Sequence, residues 1–161
     1  MVAGQTGKNY IVGKHFSVEE QTIFTETLTR KLYSQKAVMI GTLLGGPLAG
    51  GYLLAKNYKA LNQPEKIGRT WIFSIIAFAL LMVLAFIVPE QVPGFVYFFL
   101  YAWMGHFAAQ KLQGSFLQKH ASEGGVFYSN WKAAGIGIIV ALVFVLIVLA
   151  AFLLMDIPLT K

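Results

Sequence analysis

Four long stretches of the chain contain no Asp, Glu, Lys or Arg, and this feature constrains the fold more than any other. They cover residues 37–55, 70–89, 91–110 and 133–155 of the 161-residue sequence. A helix needs roughly 20 mostly apolar residues to cross the hydrocarbon core of a bilayer. The whole chain is only 12% charged, where a soluble domain carries about 25%. The sequence therefore predicts an all-α integral membrane protein.

The first stretch differs from the others because it contains five glycines and one proline, in GTLLGGPLAGG. Pro47 lacks a backbone donor and disfavours helical angles at Gly46. We expect a hinge there, between helical residues 35–44 and 48–61. The free energy of membrane insertion also sets the first stretch apart. The stretch at 133–155 has fifteen Leu, Ile, Phe or Val residues and that at 37–55 only seven. These counts correspond to about −5 to −9 and about −2 to −4 kcal/mol.

Lysine and arginine are retained on the cytoplasmic side of a membrane, so an arrangement is judged by how many it leaves outside. Residues 1–36 hold five, residues 56–69 hold four, residues 111–132 hold three, and Lys161 is the last. Four spans leave seven outside if the amino terminus is inside, and six if it is outside. A first run that re-enters and returns leaves only Lys161 outside. The charges favour this third arrangement, with loops 56–69 and 111–132 cytoplasmic.

The favoured fold thus has three transmembrane helices, at residues 70–88, 95–110 and 133–155, and a re-entrant or broken hairpin at 37–55. The alternative has four transmembrane helices, of which the first is kinked. In that case the pairs Gly41/Gly45 and Gly46/Gly50 would be small-xxx-small packing motifs. The predicted hinge and packing residues are Gly41, Gly45, Gly46, Pro47, Gly50 and Gly51.

Residues 1–36 form a polar amino-terminal segment, expected in the cytoplasm or at the interface, and residues 156–161 form a short tail. A capping-box pattern at residues 17–20 predicts a helix from Val18 that carries Phe24, Leu28 and Leu32 on one face. Its β-branched residues fit a strand as an alternative. Ser34 is a candidate cap for the helix that follows.

The helix of the third span is expected to continue past residue 110 along the interface. Leu112, Phe116 and Leu117 are expected on one face of this extension, and the glycine pair at residues 124–125 is expected to end it.

Residues 32–61, LYSQKAVMIGTLLGGPLAGGYLLAKNYKAL, resemble the signature of a group of small bacterial inner-membrane proteins. In that group a tyrosine–serine pair precedes an LGGPLAG core, and an asparagine–tyrosine pair with a later leucine follows it. The matching positions are Tyr33, Ser34, Gly45, Gly46, Pro47, Leu48, Asn57 and Tyr58. The resemblance implies a multi-pass protein of the bacterial plasma membrane and brings no activity with it.

Two sets of residues are candidates for a functional site. His106 is the one ionisable side chain within a predicted span, and Gln110 follows it one turn later; buried ionisable groups in membranes often mark proton or ligand sites. A hydrogen bond to another helix, or a position near the headgroups, is the simpler explanation of His106. The second set is a candidate contact for headgroups or a partner, or simply an interfacial anchor. It comprises Lys56, Asn57, Tyr58, Lys59, Lys66 and Arg69.

The residues that metal binding and several kinds of catalysis require are absent from the sequence or wrongly spaced. The chain has no cysteine, and its three histidines, His15, His106 and His120, lack metal-ligand spacing. The GxSxG, GxGxxG and phosphate-loop motifs are absent, so we expect neither an enzyme nor a bound cofactor. The net charge is +6, and the basic residues flank the apolar runs. This placement indicates lipid headgroups, and not nucleic acid, as the partner.

Three functions remain compatible with these features. The first is a non-enzymatic accessory subunit or scaffold that packs against partner helices, in a homo-oligomer or with other membrane subunits. The second is a small homo-oligomeric transporter or channel whose path is lined by the Gly-Pro break and His106. The third is a protein that binds anionic lipid through Lys56, Lys59, Lys66 and Arg69.

Overall fold

A computed structural model describes residues 30–87 and 92–156. Within these ranges the chain is almost entirely helical, which confirms the predicted all-α class for this part of the protein. The four helices are α1 (Gln35–Ala60), α2 (Glu65–Ile87), α3 (Phe95–Ser122) and α4 (Asn130–Asp156).

Helix α1 is broken in its middle, at the predicted hinge. Gly46 has φ 68° and ψ −169°, while the residues on both sides are helical. This backbone region is populated almost only by glycine, and the proline that follows removes a helical hydrogen bond. The local chemistry of the Gly-Pro pair therefore divides α1 into residues 35–45 and 47–60.

The two halves of α1 lie side by side and run in opposite directions. A Cβ placed on Gly41 would overlap the side chain of Leu53, and one on Gly50 would overlap Thr42. Further along, the backbone N–H of Tyr33 donates to Asn57 Oδ1 over 2.7 Å, across 24 positions of sequence. In a straight helix that separation would be about 36 Å. The helix therefore doubles back, with its tip at Gly46 and its two ends together, and we call those ends the base of α1.

Helix α1 is also the centre of the molecule. It packs against α2, α3 and α4, whereas these three make few contacts with one another. One such contact is an edge-to-face ring pair of Phe78 and Phe144, with centroids 5.3 Å apart. The buried core consists of small and aliphatic side chains around α1, including Ala37, Val38 and Leu53.

Three of the described helices are long and apolar enough to cross a membrane: α1, residues 65–84 of α2 and residues 130–154 of α4. The molecule is therefore compatible with a multi-pass membrane protein. Helix α3, which contains the predicted span at 95–110, is not among these three.

The amino-terminal expectations lie mostly on residues 1–29, outside the described part. Ser34 does cap α1, because its Oγ accepts from the backbone N–H of Ala37 at 3.1 Å. The predicted helix through Leu32 is wrong at that residue. Leu32 instead forms an isolated parallel β-bridge with Phe127, in which its N–H donates to Val126 O and its carbonyl accepts from Tyr128 N–H.

Helix α3 continues to Ser122 and is followed by Gly124 with φ 77°, as expected. Leu112, Phe116 and Leu117 lie in this helical extension, and its predicted position along the interface stays a prediction. Leu117 is buried, but Leu112 and Phe116 are exposed. The buried face contains Ala109, Gln113 and His120 as well as Leu117, because the bonding partners of Gln113 lie on that side.

Candidate functional site

The base of α1 is closed by a buried set of amide hydrogen bonds centred on Asn57. Its side chain accepts from Tyr33 N–H and donates to the carbonyl of Tyr33 at 2.8 Å. The same Nδ2 also donates to Gln113 Oε1 at 2.8 Å, and Asn57 is only 1% exposed. One side chain therefore joins the segment before α1, the second half of α1 and helix α3.

Two further bonds attach α3 to the second half of α1. Gln113 Nε2 donates to the carbonyl of Leu54 at 2.9 Å, and the Tyr58 hydroxyl donates to the carbonyl of Leu112 at 3.1 Å. In the described part of the chain, every buried side-chain nitrogen or oxygen has a hydrogen-bond partner. Because an unsatisfied buried polar group costs about 1–3 kcal/mol, this network specifies how the base of α1 meets α3.

Tyr33 also joins the base to the segment before α4. Its ring stacks on that of Tyr128, with centroids 4.6 Å apart. Burial raises the pKa of the Tyr33 hydroxyl above its ordinary value, and the neighbouring Tyr128 and Tyr52 raise it further. The hydroxyl therefore stays protonated, as a hydrogen-bond donor, throughout the physiological pH range.

A seam of small residues packs the first half of α1 on α4. A Cβ on Gly45 would lie 2.8 Å from the Cα of Gly137, and one on Gly137 would lie 2.7 Å from the carbonyl oxygen of Gly41. A Cβ on Gly41 would also come within 3.2 Å of the carbonyl of Ala133. The Gly41/Gly45 pair thus lets two backbones approach closely, as small-xxx-small motifs do.

The other predicted packing residues have different neighbours. Gly50 faces Thr42 within α1, and Gly51 faces Ser74 of α2. Gly105 of α3, which the sequence analysis did not identify, leaves room for the side chain of Thr42. A Cβ added to Gly46 would have nothing within 4 Å, so the role of this glycine is set by its backbone angles and not by space.

His106 and Gln110 are both exposed, on the side of α3 that faces away from α1. Neither lines the two cavities described below. The structure thus does not bring His106 to the Gly-Pro break. Among the residues it describes, no three His, Cys, Asp or Glu side chains are grouped so that they could hold a metal ion.

The predicted headgroup contacts divide into two groups. Asn57 and Tyr58 point into the core, and their polar atoms bond within the chain. Lys56, Lys59 and Arg69 are exposed. Lys66 is half-buried, with its ammonium 5.7 Å from the ring centroid of Tyr58. The candidate contact surface therefore consists of the cations.

Of the cavities that adjoin α1, two concern the candidate site. The first, of about 330 Å³, lies between α1, α2 and α3; it is almost wholly apolar, with Lys111 among its lining residues. The second, of about 350 Å³, lies at the base of α1 and is polar. Four of its lining residues are Arg30, Lys31, Lys56 and Lys59.

Sequence reasoning missed Gln113 and the inward position of Asn57. For Asn57 a signal existed: Leu53, Leu54, Asn57 and Tyr58 follow the spacing of one helical face, and the lysines on either side fall on the other. For Gln113 there was none, because its partners are 56 and 59 residues away in sequence.

The fold and this site define a small all-helical protein, compatible with a multi-pass membrane protein, whose broken central helix is clasped at its base. Comparison with protein-family models, curated proteins and solved structures found no match to this chain.

Proposed function

We propose that the chain is a multi-pass membrane protein in which α1 is a re-entrant hairpin and α2, α3 and α4 span the bilayer. The halves of α1 are about 17 and about 20 Å long at 1.5 Å per residue. The hydrocarbon core is about 30 Å thick, so the tip at Gly46 would reach roughly its middle. Irregular backbone within a membrane must be covered by protein or water; next to the break Gly45 packs on Gly137 of α4 and Pro47 is buried, while Gly46 itself is half-buried.

The distribution of charge supports this arrangement. The base of α1 lies beside the start of α2, the second half of α3 and the residues around the start of α4. Every Lys and Arg in the described ranges falls in the base, in the segment just before α1, or in these segments. With that end in the cytoplasm the positive-inside rule is obeyed, and the resemblance of residues 32–61 to bacterial inner-membrane proteins suggests the membrane concerned.

Single cysteines test the arrangement, because the natural chain has none. We expect Lys31→Cys and Gln63→Cys to react with an impermeant reagent from the cytoplasmic side, and Gly94→Cys from the other side. Labelling of Lys31→Cys and Gln63→Cys from opposite sides would overturn the re-entrant hairpin.

For function, we propose a non-catalytic accessory or scaffold role, in which α2 and α4 pack against helices of another subunit or a second copy. The observation that carries this is the exposure of α4: in its most apolar 18-residue window only 6% is buried, and in that of α2 only 17%. Beyond the level of Gly137, where the tip of α1 ends, α4 continues for about 25 Å. No described element of the chain packs along most of that length.

Cross-linking from α4 tests the role. A photoreactive residue at Leu146, which is 62% exposed, should cross-link to a second polypeptide in native membranes. The matched control at Ala133, which is fully buried against α1, should cross-link only within the chain. A chain that stays monomeric on mild extraction and gives no intermolecular product from Leu146 would refute the proposal.

A further inference from the structure

The polar cavity at the base of α1 is partly open, and basic and tyrosine residues line it. Arg30 and Lys31 approach it from the segment before α1, and Lys56 and Lys59 from the second half of α1. Among the described residues that line it, none carries a carboxylate. Arg30 is held in place, because its Nη1 donates to the carbonyl of Ala60 at 3.3 Å.

Aromatic rings form the other walls. The cavity is lined by Tyr33, Tyr52 and Tyr128, and the Lys56 ammonium lies 5.5 Å from the centroid of the Tyr52 ring. Lys132 lies 4.9 Å from the centroid of Tyr128, which adds a further cation beside the cavity wall. A phenol that remains protonated can donate to an anion, and the face of the Tyr52 ring attracts the Lys56 ammonium.

We propose that this cavity is a binding site for a phosphate-bearing anion, either the headgroup of a membrane lipid or a small soluble phosphate ester. The three lysines Lys31, Lys56 and Lys59 around about 350 Å³ repel one another, and an anion among them relieves that repulsion. Arginine and lysine bind phosphate oxygens through strong, charge-assisted hydrogen bonds. The volume is at the lower end of those that hold small ligands, which fits a headgroup-sized molecule.

This site goes beyond the proposed packing role, because it lies at the opposite end of the bundle from the exposed length of α4. Its lipid form does depend on the proposed topology, since only a base at the cytoplasmic headgroup level could meet a lipid phosphate. Its soluble form requires only that the cavity faces water.

The experiment uses the full chain in phosphatidylcholine nanodiscs. One arm measures the binding of glycerol 3-phosphate by calorimetry. The other includes phosphatidic acid in the nanodiscs and counts the lipid that remains bound in native mass spectrometry. The test variant is Lys56→Gln/Lys59→Gln, and the control is Lys36→Gln/Lys119→Gln, which removes the same charge from exposed positions outside the cavity.

We expect the test variant to weaken binding at least about tenfold, as the loss of two charge-assisted bonds implies, and the control to change it less than about twofold. Lys56→Arg/Lys59→Arg should keep the affinity. Retention of phosphatidic acid without binding of glycerol 3-phosphate would identify the lipid form. Binding of both ligands would identify the soluble form. Absence of binding in both arms, or equal loss in the two Gln variants, would overturn the proposal.

Discussion

Replacing Gly46 with alanine tests the central structural feature, the break in α1. The substitution changes one methyl group at a position where nothing lies within 4 Å of the added carbon. Packing therefore cannot oppose it. The backbone does oppose it, because φ 68° with ψ −169° is accessible to glycine and strained for alanine.

The expected cost follows from that strain. A non-glycine residue held in this region costs about 1–3 kcal/mol, out of a total stability of about 5–15 kcal/mol for a typical domain. Gly135 provides a matched control: it lies in α4, also with no atom within 4 Å, and its φ is not positive. There alanine should stabilise the helix by about 0.5–1 kcal/mol. The two variants should therefore differ by roughly 1.5–4 kcal/mol.

The assay is equilibrium unfolding in mixed micelles, followed by fluorescence of the three tryptophans. Gly46→Ala should shift the midpoint toward lower denaturant, and Gly135→Ala should leave it in place or raise it. If α1 were a continuous spanning helix, both alanines would favour it and both shifts would have the same sign. Equal or greater stability of Gly46→Ala would thus refute the folded geometry of α1.

Three other substitutions test the contacts around α1. Asn57→Ala leaves polar groups of Tyr33 and Gln113 without a hydrogen-bond partner and should lower the free energy of unfolding by about 3 kcal/mol. In a double-mutant cycle with Gln113→Ala the losses should be clearly less than additive, and full additivity would contradict the network. Gly137→Val should cost about 1–3 kcal/mol by forcing a side chain against the backbone of Gly41, and an unchanged midpoint would contradict the seam. Because the pKa of Tyr33 is raised, the contribution of its hydroxyl to stability is complete below the ordinary pKa of 10.0. That contribution is lost as the pH rises through the pKa of the folded state. Unfolding midpoints between about pH 9 and 12 should therefore fall less steeply in Tyr33→Phe than in the natural protein, and an unchanged slope would contradict this.

The parts of the fold that follow from local chemistry could be predicted from the sequence. Uncharged runs form helices because backbone groups in an apolar setting must bond within the segment. Gly46 breaks α1 because of its own freedom and the ring of Pro47, and Ser34 caps it because a hydroxyl can accept from the first turn. None of these outcomes depends on a distant residue.

The parts that depend on distant partners could not be predicted. Asn57 beside lysines looks like a surface residue until Gln113 and the backbone of Tyr33 are known to meet it. Leu32 fits a helix by spacing, but its backbone pairs with Phe127, 95 residues later. The cationic cavity likewise joins Arg30 to Lys59, which no local pattern could bring together.

The hydrogen-bond network centred on Asn57 has a consequence for biosynthesis. Its partner Gln113, and the glycine of α4 that receives Gly41, are translated after α1 itself. At about 5–20 residues per second, the ribosome needs roughly 4–16 seconds to pass from Asn57 to Gly137. During that interval the nascent α1 has neither its amide partner nor the glycine of α4, so the contacts that fix its two halves can form only after most of the chain has been made.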